Sequence, residues 1–259
     1  MKKRKKNVHK GSFGKTLVVG GNEYFVGAPA MAAMAAVAVL RSGADLVVVA
    51  APAKTAWAVN CLYPDIITKK IKCSHFKKSH AKQIIKMADE FDVVIIGPGL
   101  GRKKETLAFA RELAKKIKKP KVIDADAIKA VDIKEVSNAI LTPHKTEFEI
   151  LLKNSRITEK DLRKRIGTNV VLLKGPVDKI ISKTRAAYNK TGNAVMTKAG
   201  TGDVLAGLCA GFIAQGKDLF QAACMGAYLN GRTGDYLQKK KGRTFIASDL
   251  LKNIHKVFK

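Results

Sequence analysis

The chain has 259 residues, of which 46% are hydrophobic, and its 49 basic and 21 acidic residues give a net charge of +28. This length allows one large α/β domain or two small ones, and no apolar run is long enough to cross a membrane. Because no signal-peptide core follows the basic residues Met1 to Lys6, we expect a cytoplasmic protein with a basic arm at 1-8 and a single domain at 9-259.

The high positive charge raises the alternative of a nucleic-acid-binding protein, because such a surface attracts polyanions. The lysines are nevertheless spread over the whole chain, and aromatic residues make up only 6% of it. We find no zinc finger, KH loop or RNP signature in the sequence. A general lysine bias therefore explains the charge better than a specific nucleic-acid surface, and an anionic nucleotide substrate would also benefit from it.

Short β-branched runs alternate with longer helical segments along the chain. The sequence predicts strands at Lys15 to Val19, Asp45 to Ala50, Asp92 to Ile96, Lys121 to Ile123, Ala139 to Leu141, Asn169 to Leu173 and Lys179 to Ser182. It predicts helices at Pro29 to Gly43, Ala81 to Glu90, Lys104 to Lys118, Lys145 to Lys153, Val204 to Gln215 and Leu219 to Tyr236. Near-continuous apolar strands are typical of a parallel sheet with helices on both faces, where ligands bind at the carboxyl ends of the strands.

Two glycine-rich segments look like nucleotide-binding motifs without matching them. Gly11 to Thr16 has two residues between its glycines instead of four and precedes a strand, so a turn is favoured over a P-loop. Gly97 to Gly101 lacks the third glycine of a dinucleotide fingerprint, since Arg102 stands at that position. A glycine-dense turn after a buried strand still lets a ligand approach the backbone, so we predict a ligand contact there.

The strongest chemical signal is the run Gly200-Thr201-Gly202-Asp203, which opens an apolar helix. The free amides and the dipole of a helix N-terminus bind anions, and glycines leave room for phosphate oxygens. The dipole favours an ionised Asp203, which suits a general base that removes a proton from a substrate hydroxyl. The alternative, which this segment alone leaves open, is that Asp203 only caps the helix.

Other candidate residues follow other strands. Lys174-Gly175-Pro176 follows a strand and can lie over a nucleotide. His144 alone is more often structural, but Glu147 on the same first helical turn lets the pair meet a ligand or a magnesium ion. Asp124 and Asp126 end a further strand, and magnesium held mainly by phosphates needs only one or two carboxylates.

In their order along the chain, these segments resemble the ADP/ATP-dependent NAD(P)H-hydrate dehydratases of the ribokinase-like superfamily. The similar segments are His9-Lys10-Gly11, Gly27-Ala28-Pro29, Gly97 to Gly101, Val122 to Ala127, Leu141 to His144, Leu173 to Gly175, Asn189 to Asn193, Gly200 to Gly207 and Ala247 to Leu250. The resemblance covers nearly the whole chain. It implies an α/β fold, a ribokinase-like three-layer α/β/α sandwich with a mostly parallel central sheet.

The resemblance also implies a reaction, the dehydration of the S epimer of hydrated NADH or NADPH (NADHX, NADPHX), with ADP converted to AMP and phosphate. ATP replaces ADP in eukaryotic members, and the cofactor implied is Mg2+. The hydrate-binding positions match Ala28, Gly101, His144 and Asp203, of which Asp203 is the catalytic residue. The nucleotide-binding positions match Lys174, Gly175, Pro176, Val177, Asp178 and Gly202, to which the helix-opening run adds Gly200 and Thr201. Glu147 falls where an acid often lies near magnesium, and related enzymes commonly form homotetramers.

The sequence departs from the family pattern at several points. Ala199 replaces a usual glycine, Lys190 replaces an arginine and Asn230 replaces a histidine. The N-terminal epimerase domain of some relatives is missing, so we expect action on one epimer only. The main competing prediction is a small-alcohol kinase of the same superfamily, such as hydroxyethylthiazole kinase, and a nucleic-acid-binding protein without catalysis is the second.

Overall fold

The computed structural model describes His9 and residues 11–258, so the predicted arm at 1-8 lies outside the described residues. The strands are β1 (Lys15–Val19), β2 (Leu46–Pro52), β3 (Ile67–Ile71), β4 (Val93–Ile96), β5 (Lys121–Ile123), β6 (Ala139–Leu141), β7 (Val170–Leu173), β8 (Asp178–Ile181) and β9 (Ala186–Asn189). The α-helices are α1 (Ala28–Arg41), α2 (Ala53–Leu62), α3 (Ala81–Ala88), α4 (Lys104–Lys116), α5 (Lys145–Ser155), α6 (Leu162–Arg165), α7 (Thr201–Ala214), α8 (Leu219–Lys241) and α9 (Ala247–Val257).

Within the described part of the chain, nine strands form one sheet in the order β3-β2-β1-β4-β5-β6-β7-β8-β9. Strands β1 to β7 are all parallel. Strands β8 and β9 are antiparallel to their neighbours. The connection from β7 to β8 is too short to hold a crossover helix. The two strands must therefore be antiparallel. The strand order reverses between β1 and β4, and this switch point is where open α/β sheets bind ligands.

Side chains on opposite faces of the sheet enter two separate cores. On β1, Val18 packs into the core formed with α1, α7, α8 and α9. Its neighbours Leu17 and Val19 point into the other core, which α3, α4 and α5 cover. This alternation on a buried strand follows from the two-residue repeat of β structure. The predicted three-layer sandwich with a mostly parallel sheet is confirmed.

Small residues let α1 and α7 approach each other closely. The buried face of α1 consists largely of alanine, including Ala35 and Ala38. A Cβ at Gly207 of α7 would overlap the Ala35 carbonyl oxygen and lie 2.6 Å from the Cβ of Ala38. This close packing holds the N-terminus of α7 against the sheet at the edge where the parallel strands end.

The turn preference for the first glycine-rich segment is confirmed, because residues 11–13 form a turn that leads into β1. The Gly14 amide donates to the Gly11 carbonyl at 3.3 Å, and no helix follows this segment. The elements that the sequence did not predict include α2, β3, β9 and α9. Among the described residues, we find no helix with both the length and the apolar character needed to span a membrane.

Candidate active site

The loops after the parallel strands converge on the N-terminus of α7. Asp124 directly follows β5, Thr142 follows β6 and Lys174 follows β7. Asp203 lies in the first turn of α7, close enough to Asp124 and Lys174 for their charges to act on its carboxylate. The structure therefore brings together residues that are up to 79 positions apart in the sequence.

A glycine in the left-handed backbone conformation precedes α7, and the helix begins earlier than the sequence predicts. Gly200 is the N-cap residue with φ 92°, and the helix begins at Thr201 instead of Val204. The Thr201 hydroxyl donates to the carbonyl oxygens of Met196 at 2.8 Å and Lys198 at 2.9 Å, which holds the loop in place. Asp203 is thus the third helical residue and not the cap, so its carboxylate is free for another role. Ala199 is exposed, and its methyl group does not press on the buried side of the loop.

A buried ion pair forms the centre of the site. Asp124 is almost completely buried, and its Oδ1 accepts from the Thr142 hydroxyl at 2.6 Å and from Lys174 Nζ at 3.2 Å. A second carboxylate, on Glu147, lies 4.0 Å from Lys174 Nζ. Burial by itself would lower the pKa of Lys174. The negative charges of Asp124 and Glu147 have the larger effect, so the pKa of Lys174 is raised. The lysine is therefore a permanent cation inside the site.

The Asp203 carboxyl group lies close to these charged side chains, and its pKa is well above the usual value for an aspartate. It is 8% exposed, and this burial raises its pKa to about 8, with a further increase from the Asp124 charge and an opposing effect from Lys174. Burial therefore opposes the ionisation of Asp203 that the helix dipole favours. A carboxylate with a pKa near neutrality is a stronger base than an exposed aspartate.

The anion loop and the lysine lie side by side. A Cβ at Gly202 would be 3.3 Å from Lys174 Nζ, so the glycine leaves that ammonium group accessible from the N-terminus of α7. Phosphate oxygens bound by the first-turn amides would therefore also reach Lys174. Among the predicted nucleotide-binding residues, Gly200, Thr201, Gly202 and Lys174 are thus brought together.

The remaining predicted nucleotide-binding residues, from Gly175 to Asp178, lie in the turn between β7 and β8 and at the start of β8. The Gly175 amide donates to Asp178 Oδ1 at 3.1 Å, and Asn189 Nδ2 donates to Asp178 Oδ2 at 3.0 Å. The Asp178 carboxylate is therefore hydrogen-bonded both to the turn and to β9, while Val177 is 41% exposed. This segment directly follows Lys174, which contacts Asp124.

His144 and Glu147 form a reciprocal cap at the start of α5. The His144 amide donates to Glu147 Oε2 at 3.1 Å, and the Glu147 amide donates to His144 Nδ1 at 3.4 Å. The imidazole is half exposed, whereas the Glu147 side chain is buried between Lys129, at 3.8 Å, and Lys174. Sequence reasoning gave no role to Thr142 or Lys129, and no local pattern marks them, because their partners are distant in sequence.

The carboxylates fit a magnesium ion that receives most of its ligands from phosphates. No group of three or more metal-ligating side chains occurs in the part of the chain that the structure describes. Asp124 and Glu147 are two buried carboxylates on either side of the Lys174 ammonium group, so the pocket already accommodates positive charge there. One or two carboxylates suffice when phosphates complete the shell.

The glycine turn after β4 forms the wall of the site next to Asp124. A Cβ at Gly97 would overlap the Asp124 carbonyl oxygen, so only glycine permits this approach. The Gly101 amide donates to Asp126 Oδ2 at 3.1 Å, and a Cβ at Gly99 would lie 2.9 Å from the Cα of Ala28. Ala28 and Gly101, two of the predicted hydrate-binding residues, therefore lie at the same glycine turn.

The chain is similar in sequence to NAD(P)H-hydrate repair enzymes over nearly its whole length. The NAD(P)H-hydrate dehydratase family model matches residues 16–256. The bifunctional NAD(P)H-hydrate repair enzyme Nnr of Methanothermobacter thermautotrophicus is 37% identical, over 98% of this chain and 51% of its own length. The Nnr enzyme of Methanocaldococcus jannaschii is 39% identical, over 100% of this chain and 51% of its own length. The chain thus spans about half the length of the curated relatives it matches.

Solved structures show the same fold. A hypothetical protein of Streptococcus mutans superposes with a TM-score of 0.81 at 27% identity, covering 99% of this chain and 94% of its own. The ADP/ATP-dependent NAD(P)H-hydrate dehydratase of Bacillus subtilis, co-crystallised with ATP/Mg2+, superposes with a TM-score of 0.78 at 23% identity, with the same coverage. A hydroxyethylthiazole kinase of Pyrococcus horikoshii is less similar, with a TM-score of 0.60 at 16% identity over 93% of this chain and 88% of its own. From the match over residues 16–256 and the ordered motifs around Asp203, we conclude that the chain belongs to the NAD(P)H-hydrate dehydratase family.

Proposed function

We propose that this protein dehydrates the S epimer of hydrated NADH or NADPH to NADH or NADPH and converts ADP to AMP and phosphate. The observation that carries the proposal is the buried Asp203 carboxyl, with a pKa of about 8, in the first turn of an anion-binding helix beside Lys174. The curated relatives are bifunctional and twice as long as this chain. The proposal therefore concerns the dehydratase reaction alone.

The proposed chemistry replaces a poor leaving group by a good one. Asp203 takes the proton of the ring hydroxyl while the hydroxyl oxygen bonds to the terminal phosphorus of ADP and the bond to the bridging oxygen breaks, which releases AMP. The C–O bond of the resulting phosphate ester then breaks. Phosphate leaves, and a proton is lost from the adjacent ring carbon, which restores the ring double bond. The sum is one hydrate and one ADP giving one NAD(P)H, one AMP and one phosphate.

The neighbouring residues have distinct proposed roles. The amides of Gly200 and Gly202 and the Lys174 ammonium group hold the phosphoryl oxygens as charge develops on them, whereas the Thr201 amide donates to the Lys198 carbonyl at 3.3 Å. Asp124 and Glu147 would hold magnesium, which when bound supplies positive charge to the phosphoryl oxygens. Asp124 also fixes the position of Lys174 through their contact at 3.2 Å.

The finer assignments rest on the family resemblance. We propose that Ala28, Gly101 and His144 contact the hydrate, and that Gly175 to Asp178 border the nucleotide. We further propose ADP instead of ATP as phosphoryl donor, a homotetramer as the assembly and the cytoplasm as the location. The scattered lysines favour a small anionic substrate over a specific nucleic acid.

The experiment that tests the proposed base compares Asp203→Asn with the wild-type protein. We expect turnover of the hydrate to fall at least ~100-fold, the range typical of a lost general base, while ADP affinity stays within about threefold. Asp65→Asn is the matched control, because Asp65 is exposed and lies just before the edge strand β3. Near-normal turnover by Asp203→Asn would exclude the role of Asp203 as the base.

A small-alcohol kinase is the competing function, and the products distinguish it. The dehydratase releases inorganic phosphate and restores the dihydronicotinamide absorbance. A kinase would instead accumulate a stable phosphate ester of a small alcohol and would release no phosphate. Incubating the protein with hydroxyethylthiazole and ATP, with phosphate release measured in parallel, separates the two reactions.

A further inference from the structure

The loop between β1 and α1 exposes three large apolar side chains in succession. Tyr24 is 57% exposed, Phe25 is 58% exposed and Val26 is 98% exposed. Adjacent apolar groups of this size on a surface indicate a binding role. The loop lies at the switch point between β1 and β4, which is also where the glycine turn at 97–101 emerges.

Phe25 lies directly against the wall of the candidate site. A Cβ at Gly101 would be 3.1 Å from Cε2 of Phe25, so the ring covers the glycine backbone at contact distance. Ala28 follows three residues later and borders the same turn through Gly99. The exposed part of the Phe25 ring therefore lies at the same glycine turn as Ala28 and Gly101.

A buried asparagine fixes this loop to the glycine turn. Asn22 is 2% exposed, and its Oδ1 accepts from the amides of Tyr24 and Phe25, both at 3.0 Å. Its Nδ2 donates to the Gly99 carbonyl oxygen at 2.7 Å. All the hydrogen-bonding capacity of this side chain except one N–H is used to join the loop and the turn. The backbone of Phe25 is thereby held next to the glycine turn.

We propose that Phe25 determines specificity for the hydrated nicotinamide by packing its ring against the substrate's six-membered ring. This inference rests on the proposed function. The hydrated ring is uncharged and partly saturated, so its faces carry C–H groups that pack well on an aromatic surface. Contact with Phe25, beside Ala28 and Gly101, would orient the ring within the proposed hydrate site. Asn22 acts as a positioning residue, because it touches the loop and not the substrate.

The test compares Phe25→Ala and Phe25→Tyr with the wild-type protein. We expect Phe25→Ala to raise the KM for the hydrate about tenfold, which corresponds to ~1.4 kcal/mol, and to leave the KM for ADP within about twofold. Phe25→Tyr keeps an aromatic ring at this position, so its KM for the hydrate should equal that of the wild-type protein. Asn22→Leu should raise the same KM, because it releases the loop. Val26→Ala is the matched control, since this more exposed neighbour makes no described contact with the glycine turn.

Three results would decide against the inference. An unchanged KM for the hydrate in Phe25→Ala, with an active wild type, overturns it and leaves the proposed function standing. A wild-type protein that does not turn over the hydrate fails the proposed function itself. A smaller sedimenting species for both Phe25→Ala and Val26→Glu would show that a second copy of the chain covers this loop, which also overturns it. Because Phe25 is largely exposed, we expect its variants to keep the wild-type circular dichroism spectrum.

Discussion

The raised pKa of Asp203 predicts a steep acid limb in the pH dependence of the reaction. The proposed base acts only when ionised, and burial together with the Asp124 charge raises its pKa to about 8. Below that pH the group holds its proton, so the rate should fall as the pH is lowered. An exposed aspartate, with a pKa of ~3.9, would instead give a flat profile across the neutral range.

The size of this effect follows from the titration of one group. With a pKa of about 8, the ionised fraction is about 50% at pH ~8 and about 1% at pH ~6. The rate should therefore change about 50-fold over this interval. Initial rates at subsaturating concentrations of both substrates report the free enzyme, in which this pKa applies. Such rates, followed by the absorbance of the restored dihydronicotinamide, are the assay.

A charge variant checks that the limb belongs to Asp203. The Asp124 carboxylate raises the pKa of Asp203, so Asp124→Asn should move the acid limb to lower pH. Asp65→Asn, an exposed control, should leave the limb in place. A flat wild-type profile between pH ~6 and pH ~8, or a limb that Asp124→Asn moves to higher pH, would refute this assignment.

Two further predictions concern the ion pair and the helix packing. Lys174→Met removes the cation between Asp124 and Glu147, so we expect ADP affinity to fall about tenfold or more. Lys174→Arg keeps the positive charge and should retain part of the affinity. Calorimetric titration with ADP measures both variants, and unchanged affinity in Lys174→Met would contradict the proposed role. Gly207→Ala places a methyl group against Ala35, so we expect it to lower the free energy of unfolding by ~1–3 kcal/mol in denaturant titrations. Gly27→Ala has open space at the Cβ and should change stability by less than ~0.5 kcal/mol; equal stabilities of the two variants would show that the α1–α7 contact is not tight.

Much of the central sheet could be predicted from the sequence, because buried parallel strands are continuous apolar runs. Val93–Ile96 is completely buried and its prediction needed no other information. The edge strand β3 escaped prediction because its residues Ile67–Ile71 include two lysines and are half exposed. The extension of α8 to Lys241 was also missed, because three successive lysines end the amphipathic pattern before the helix itself ends.

The chemistry of the site was only partly predictable. Asp203 stood out because a glycine-rich run before an apolar helix is a local signal. The contact of Lys174 with Asp124 joins residues that are 50 positions apart, and no local pattern reveals it. The same holds for Phe25 and Gly101, which meet only because β1 and β4 are neighbours in the sheet. The protonation of Asp203 depends on burial, which the sequence alone does not specify.

The most direct test of the central claim is a product count with the wild-type protein, chemically hydrated NADH, magnesium and ADP. The proposed reaction predicts that dihydronicotinamide, AMP and inorganic phosphate form in equal amounts, and that omission of ADP stops all three. Restoration of NADH without AMP formation, or AMP formation that leaves a stable phosphate ester in place of NADH, would contradict it.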